Sequence, residues 1–452
     1  MNDVPKTVSS ADDLEKPVTI GTYAYVSADY AKAERDRLWR KSWLQAGRIE
    51  DISGDGDFVT FDIHDDSIIV VRENAGTVRA FHNVCVHRGR KLVDTPAGKR
   101  NARGSANNFT CGFHGWTYGL NGQCKHIPHQ DDWQGSLTQD AIRLSSVKCE
   151  TWGGWLWINM DPESVSLTEW LGVVPEMLDP YGLQNMRPRW RKWVVFDCNW
   201  KVAMEAFNET YHVATTHPEF NAFGQFRGWA RNQGLHSHIG YEAPKGLEED
   251  AGKMRTGIGD ARISTAEMQN FTWGAANTNT TETLVAAANR LVDELPEGTP
   301  ATEVSKHWIA TAKADDEKRG VIWPTVDPQH TGKAGTAWQI FPNFQIGHAV
   351  NNMLCYMARP YGNNPDKCIF EAAVYELYPE GEAPETEWSY TEPADWPPVL
   401  QQDFTNMAAV QQGMKSAGFK GTRPNPYMER STASLHMNLA AFMGIGAPVK
   451  VD

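Results

Sequence analysis

The spacing of hydrophobic positions changes period more than once along the chain. Helical text comes first: Asp29-Tyr30-Ala31-Lys32-Ala33-Glu34-Arg35-Asp36-Arg37-Leu38-Trp39 has helix-compatible spacing. From Phe58 the period falls to two, over 58–63, 67–71 and 77–81, with turn residues Asp65-Asp66 and Asn74-Ala75-Gly76 between the runs. Short runs divided in this way predict an antiparallel β-domain, closed by Gly154-Trp155-Leu156-Trp157-Ile158-Asn159. Residues 191–196 read as a further strand that runs into Asp197-Cys198-Asn199, a capping sequence that predicts a helix from Trp200. The stretch 222–335 is polar and yields one clear helix, 282–294. Strand text returns at 338–341, 353–357 and 369–375, and helices are predicted over 403–417 and 434–443. The pattern is α+β, with no internal repeat and no low-complexity tract.

Composition narrows the class. A chain of 452 residues exceeds what one core covers, so two domains are expected. Hydrophobic residues at 41% and charged residues at 22% describe an ordinary globular protein, and a net charge of −13 argues against nucleic acid as a general partner. No apolar run reaches the ~18 residues of a membrane helix. The start, Met1-Asn2-Asp3-Val4-Pro5-Lys6, lacks a signal-peptide layout; the expectation is a cytoplasmic protein. Seven scattered cysteines do not suggest a disulfide framework. Only Cys85 and Cys111 have ligand spacing, and the other five are expected to be small buried residues.

Those two cysteines carry the strongest signal. Cys85-x-His87 and Cys111-x2-His114 each pair one thiol with one imidazole. A Rieske [2Fe–2S] centre takes two thiolates on one iron and two imidazoles on the other, so each turn can supply one ligand to each iron. A zinc site is the rival, but zinc motifs usually pair Cys with Cys and His with His. His126 and His129 lack ligand spacing and read as loop histidines.

A second pattern follows Trp200. On one continuous helix, Glu205, Asn208, Glu209 and His212 would fall at i, i+3, i+4 and i+7 and share a face, with Trp200, Met204, Phe207 and Tyr211 forming an apolar stripe beside it. His217 follows, before Pro218. Two imidazoles and a carboxylate are the ligand set of non-haem Fe(II) oxygenases. Glu209-x2-His212 also suits a di-iron site, but no second Glu-x-x-His occurs in the chain. An amphipathic surface helix with two ordinary histidines remains open from spacing alone.

Taken together, these motifs resemble the large, catalytic subunit of Rieske-type aromatic ring-hydroxylating oxygenases. The resemblance rests on Cys85-x-His87…Cys111-x2-His114-Gly115-Trp116, Asn199-Trp200-Lys201 and Glu209-x2-His212-x4-His217, with Phe341-Pro342-Asn343 and Asp403-Phe404-Thr405-Asn406-Met407 as weaker pieces. It implies an N-terminal helical segment (1–43) packing on the catalytic domain, an all-β Rieske domain (44–162), and a helix-grip-like catalytic domain (163–452) with helices over an antiparallel sheet. It also implies that Cys85, His87, Cys111 and His114 hold the [2Fe–2S] cluster, and that His212, His217 and Asp403 bind a mononuclear Fe(II). Glu209 would bridge to the neighbouring subunit's cluster, which requires a ring: a homotrimer, with or without a small beta subunit. Phe207 and Val213, beside the ligands, are candidates for the substrate pocket. The implied activity is O2-dependent dihydroxylation of an aromatic or other apolar ring, with monooxygenation or O-/N-demethylation as the alternative.

No G-x-G-x-x-G follows a strand, since Gly257-Ile258-Gly259 lacks the third glycine. Electrons are therefore expected from a ferredoxin or a flavin reductase. Arg88, Arg90, Lys91, Lys99, Arg100, Arg103 and Lys125 predict a basic collar around the cluster turns, opposed only by Asp94, that would steer an acidic donor. Two readings from other classes are a simple Rieske electron carrier, which needs only the first ~160 residues, and a zinc-stabilised binding protein.

Overall fold

The computed structural model describes residues 14–224, 226–242 and 259–451. The chain divides into two compact units.

The first unit comprises Lys32–Trp170 with Pro360–Asn363. Its seven-stranded sheet runs in the order Leu44–Arg48, Trp155–Asn159, Ser146–Trp152, Thr77–His82, Asp66–Asn74, Asp57–Ile63, Arg103–Ser105. Alternating residues of Asp57–Ile63 and Asp66–Asn74 pair in antiparallel register, Val59 opposite Val70 and Phe61 opposite Ile68. A separate three-stranded sheet, Asn108–Thr110, Thr117–Gly119 and Cys124–His126, carries the second Cys/His turn at a hairpin tip. A core of Ile69, Val71, Phe81, Phe109, Trp116, Tyr118 and Leu144 includes both ligand-spaced thiols, Cys85 and Cys111.

The second unit comprises the described residues before Lys32, Leu171–Arg359 and the chain from Asn364 on. Its eight-stranded sheet runs Arg227–Gln233, His236–Glu242, Ala337–Ile340, Phe344–His348, Asn352–Tyr361, Asn364–Glu376, Arg187–Phe196, Trp388–Tyr390. Arg187–Phe196 is antiparallel to Asn364–Glu376 and parallel to the edge strand Trp388–Tyr390. Helices Trp200–Glu205, Pro398–Gly413 and Arg430–Met443 carry or support the site residues. Among the described residues no helix is long and apolar enough to cross a membrane.

Several expectations change. Segment 1–43 does not group as one body, because residues up to Ala31 cluster with the second unit and those from Lys32 with the first. Burial explains the division. Tyr25 is fully buried in the second unit, where Val18–Thr19 pairs with Val449–Lys450, whereas Trp39 and Trp43 are fully buried in the first. The 282–294 helix breaks at Arg290 into Glu282–Asn289 and Leu291–Glu294. The polar 222–335 stretch also holds strands Arg227–Gln233 and His236–Glu242 and helices Ala261–Phe271, Ala301–Lys318 and Pro328–Ala334, which its pattern did not reveal. Of the five cysteines outside the ligand turns, Cys198, Cys355 and Cys368 are buried, but Cys124 and Cys149 are half-buried.

Candidate metal centres

The two Cys/His turns are built alike. Cys85 N–H donates to the Arg90 carbonyl (2.8 Å), and Gly89 N–H donates back to the Cys85 carbonyl (2.9 Å). Cys111 N–H donates to the Trp116 carbonyl (2.8 Å), and Gly115 N–H to the Cys111 carbonyl (3.0 Å). Gly89 and Gly115 share a φ of 76°, a left-handed turn that glycine adopts without a Cβ penalty. Asn83, itself buried, staples the first turn: its amide donates to Ser67 Oγ and the Val93 carbonyl, and its oxygen accepts from Leu92 and Val93 N–H.

Burial sorts the four donors. Cys85 and Cys111 are 2% and 3% exposed, His87 is half-buried and His114 is exposed. The two imidazoles lie 4.7 Å apart between ring centroids, and His87 stacks on Trp116 at 4.9 Å. Cys85 Sγ lies 3.1 Å from Tyr118 Oη, while burial and the nearby Cys111 push its thiol pKa up. Two adjacent buried sulfurs of this kind become thiolates only against a cation. Among the described residues, His/Cys/Asp/Glu donors gather within one ion's reach only at His212, His217 and Asp403. The donors of the two turns do not close around a single point, which suits a two-iron cluster better than one zinc.

The basic collar is not a free positive surface. Arg90 pairs with Asp94 (2.6 Å), Lys91 with Asp62 (3.4 Å) and Arg103 with Asp51 (3.1 Å), and Arg100 is buried. Asp62 and Asp51 approach from elements distant in sequence, so a local count of charges missed them. Arg88 lies over the ring of Phe113, an exposed apolar side chain next to His114.

In the second unit, Asn199 caps the helix that precedes the histidines: its side chain accepts from Lys201 N–H (3.1 Å) and donates to the Tyr25 and Pro365 carbonyls. That helix ends at Glu205, so Glu205, Asn208, Glu209 and His212 do not share a helical face, and Tyr211 is exposed rather than part of an apolar stripe. The physical cause is competition for backbone donors. Both the Tyr211 and His212 N–H groups are taken by the Glu209 carboxylate, and Asn208 turns its side chain to Gln339 and Thr432. A short helix, Val213–Thr216, then sets the separation of His212 and His217.

Asp403 comes from Pro398–Gly413, where the neighbouring Phe404 packs against Phe196, Phe370 and Trp396. His217 Nε2 lies 3.0 Å and His212 Nε2 3.5 Å from Asp403 Oδ1. The other ring nitrogens are engaged: His212 Nδ1 with Glu209 Oε1 (2.5 Å) and His217 Nδ1 with Gln402 Oε1 (2.7 Å). An Nδ1–H given to an oxygen acceptor leaves the Nε2 lone pair bare. In the neutral form with the hydrogen on Nδ1, both Nε2 lone pairs face a buried carboxylate oxygen, an arrangement that fits a cation held among the three groups. Burial lowers the His212 pKa, but the Glu209 hydrogen bond and the charges of Glu209, Asp403 and Glu429 outweigh it, so the net shift is upward.

Phe207 stacks on Tyr356 (4.0 Å) and Phe370 (5.4 Å), giving an aromatic slab beside the site, and Val213 is half-buried after His212. Sequence reading missed Gln402, although it adjoins Asp403. It also missed Glu429 and His436, which no motif flags. His126 and His129 are exposed. Of the Gly-x-Gly at 257–259, residues 257 and 258 lie outside the described residues.

Paired Cys/His turns in one unit and a two-His, one-carboxylate cluster in the other are two candidate metal centres with different donor sets. Comparison with known proteins agrees. Residues 183–445 match the model described as ring hydroxylating alpha subunit (catalytic domain), and residues 42–147 match the Rieske [2Fe-2S] domain. The first match covers more than half of the chain, which belongs to the ring-hydroxylating alpha subunit family. The two domains imply a [2Fe–2S] cluster and a mononuclear iron as cofactors.

The chain is 34% identical to the large oxygenase component of the 2,4-dinitrotoluene dioxygenase system of Burkholderia sp. (strain RASC), over 44% of this chain and 45% of that one. It is 36% identical to the large oxygenase component of the naphthalene 1,2-dioxygenase system of Pseudomonas putida, over 41% of each. The chain thus spans less than half the length of the curated relatives it matches. In structure it is similar to a quaternary ammonium Rieske monooxygenase in complex with L-carnitine (TM-score 0.63, 17% identity, 96% and 97% of the two chains). It is also similar to naphthalene 1,2-dioxygenase from Rhodococcus sp. bound to indole (TM-score 0.61, 17% identity, 94% of each). Both share its fold.

Proposed function

We propose that the chain is the terminal oxygenase component of an aromatic ring-hydroxylating system. Cys85, His87, Cys111 and His114 would hold the Rieske cluster, and His212, His217 and Asp403 the mononuclear iron. The observation that carries this reading is the convergence of His212 Nε2 and His217 Nε2 on Asp403 Oδ1, with both Nδ1 atoms hydrogen-bonded to side-chain oxygens. The cluster supplies single electrons, and the mononuclear iron supplies the site at which O2 is reduced beside a substrate.

The protein's own side chains do the rest. Glu209 fixes the ring of His212 and would bridge to a neighbouring subunit's cluster in a homotrimer, a reading that the exposure of His114 supports. Gln402 fixes the ring of His217 and is itself oriented by Glu219 (3.0 Å). The Phe207–Tyr356–Phe370 slab gives a flat apolar wall suited to an aromatic ring, with Val213 nearby. Electrons would come from a ferredoxin or a flavin reductase. Phe113 and Arg88 offer it an apolar contact and a cation in addition to the exposed Lys99 and Lys125.

The dinitrotoluene, naphthalene and benzene dioxygenase relatives favour dihydroxylation of an apolar ring. Oxygen uptake and product analysis with a panel of aromatic hydrocarbons, aromatic acids and methoxy compounds test this. A cis-diol from an aromatic hydrocarbon supports it, and a phenol or dealkylated product moves the chain to monooxygenation. No oxygen uptake with any compound, both metals being bound and reduced, would overturn it.

A further inference from the structure

A second group of titratable side chains lies behind the ligand loop. Glu205 ends the Trp200–Glu205 helix, and its two carboxylate oxygens lie 3.0 and 3.1 Å from Tyr25 Oη. His436 Nε2 lies 2.6 Å from Glu205 Oε1 and 2.8 Å from Tyr25 Oη. Tyr25 and His436 are sealed from water, whereas the Glu205 side chain is 13% exposed.

Counting hydrogens shows what this contact requires. If Nε2 carries its hydrogen, it donates to Glu205, which then accepts from Tyr25 as well and is a carboxylate. If Nε2 is bare, a 2.6 Å approach sets lone pair against lone pair unless Glu205 is protonated. One proton therefore lies between Glu205 and His436 in either case, beside a phenol hydrogen-bonded to both.

The triad is joined to the ligand loop by one helix face. Glu429, Thr432 and His436 fall at i, i+3 and i+7 at the start of and along Arg430–Met443. Thr432 Oγ1 donates to Asn208 Oδ1 (3.1 Å), next to Glu209. Glu429 accepts from Asn425 N–H (2.6 Å), and the charges of Glu209, Glu205 and His212 act on it. Burial and those two carboxylates push its pKa up to about 7. Tyr30 is the further ionisable group that faces Tyr25, whose own pKa is raised by burial and Glu205.

We propose that Tyr25, Glu205 and His436 form a proton-loading site for the iron centre, charged from solvent at Glu205 and discharged toward the ligand loop along the helix face that His436 shares with Thr432. The proposal rests on the oxygenase reading. Dihydroxylation consumes one O2, two electrons and two protons, and monooxygenation consumes the same and releases water. The donor protein supplies the electrons, and the protons must reach a buried site. The proton held between Glu205 and His436 is released toward the ligand loop, and Glu205 is recharged from water. Only O–H and N–H bonds change in the relay, and Glu209 remains the acceptor from His212. These residues act through the centre rather than on substrate, as positioning and relay groups.

The test uses holoenzyme carrying Tyr25→Phe, Glu205→Gln, Glu205→Asp, His436→Gln or Glu429→Gln, with iron content and cluster EPR confirming that both metals are bound. Reduction-induced infrared difference spectra in H2O and D2O provide a readout independent of turnover. The wild type should show a protonated-carboxyl change that shifts in D2O, and Glu205→Gln and Glu429→Gln should each remove part of it. Turnover of His436→Gln should fall on the order of tenfold or more at pH 8 and less at pH 6, where protons are abundant. Its solvent isotope effect should rise, and Glu205→Asp should retain most activity. Unchanged infrared spectra and wild-type pH profiles in metal-loaded His436→Gln and Tyr25→Phe would overturn the relay; either variant suffices if the other does not fold. A fully loaded wild type that shows the carboxyl change but oxygenates nothing would instead contradict the functional reading.

Discussion

Replacing Gln402 with leucine isolates the requirement for a fixed histidine tautomer. Gln402 Oε1 accepts from His217 Nδ1 at 2.7 Å, and Glu219 accepts from the other end of the amide at 3.0 Å, so the oxygen has to face the imidazole. Leucine keeps similar volume but offers no acceptor. His217 is 4% exposed, so water cannot readily take the place of the lost partner, and the ring can move its hydrogen to Nε2, the atom that faces Asp403. Loss of an outer partner of a ligating histidine typically costs 10–100-fold in metal affinity, or ~1.4–2.7 kcal/mol. The missing hydrogen bond itself contributes only ~1 kcal/mol to fold stability. Competition with a calibrated chelator should therefore show iron affinity at the second site down by about one to two orders of magnitude. The cluster spectrum should stay intact and the thermal midpoint should move little. Wild-type iron affinity in folded Gln402→Leu would refute the tautomer argument.

Three other outcomes follow from the structure. Glu209→Gln keeps a hydrogen-bonding oxygen near His212, so both metals should stay bound while steady-state turnover drops on the order of a hundredfold; full turnover would remove its bridging role. Phe404→Ala opens a cavity among Phe196, Phe370 and Trp396, and chemical denaturation should report a loss of ~3–5 kcal/mol, with weaker iron binding through Asp403 next door. His238 and His348 are held neutral by burial, at about 4 and about 3, with Arg231 adding to the effect on His238. Their folded values lie below the unfolded ~6.5, so the unfolded chain binds more protons as pH falls. Stability from these residues is full above pH ~6.5 and falls toward pH 4 by up to ~1.4 kcal/mol per histidine per unit. Melting midpoints at pH 7 and 5 check this, and His348→Phe should flatten the difference.

The ligand turns were legible because metal chemistry restricts residue type and spacing over a few positions: Cys85-x-His87 and Cys111-x2-His114 sit on adjoining turns whose geometry is local. The strands at 58–81 were equally readable, since short runs rich in β-branched and aromatic residues are divided by turn residues, even though Ile68–Val71 is buried on both faces. Strand His236–Glu242 was not, because His236, Ser237 and His238 are all buried, so polar residues fill inward positions and no alternation survives. The helix expected through His212 failed for a related reason. Glu209 takes the loop's own N–H groups, and Asn208 reaches across to Thr432 and Gln339, partners more than a hundred residues away that local spacing cannot register. Asp403 was reached by resemblance alone, and the charge compensation by Asp51 and Asp62 that reduces the basic collar is likewise a tertiary effect.

The central claim is that one chain holds two distinct iron sites with separate ligand sets. Iron and acid-labile sulfide should be counted in anaerobically prepared protein, alongside EPR of the reduced form, for wild type, Cys111→Ser and Asp403→Ala. The account predicts three irons and two sulfides per wild-type chain with a Rieske signal. Asp403→Ala should lose one iron and keep the signal, and Cys111→Ser should lose two irons, both sulfides and the signal. Zinc without sulfide at the Cys/His turns, or an iron count in Asp403→Ala equal to the wild type, would contradict it.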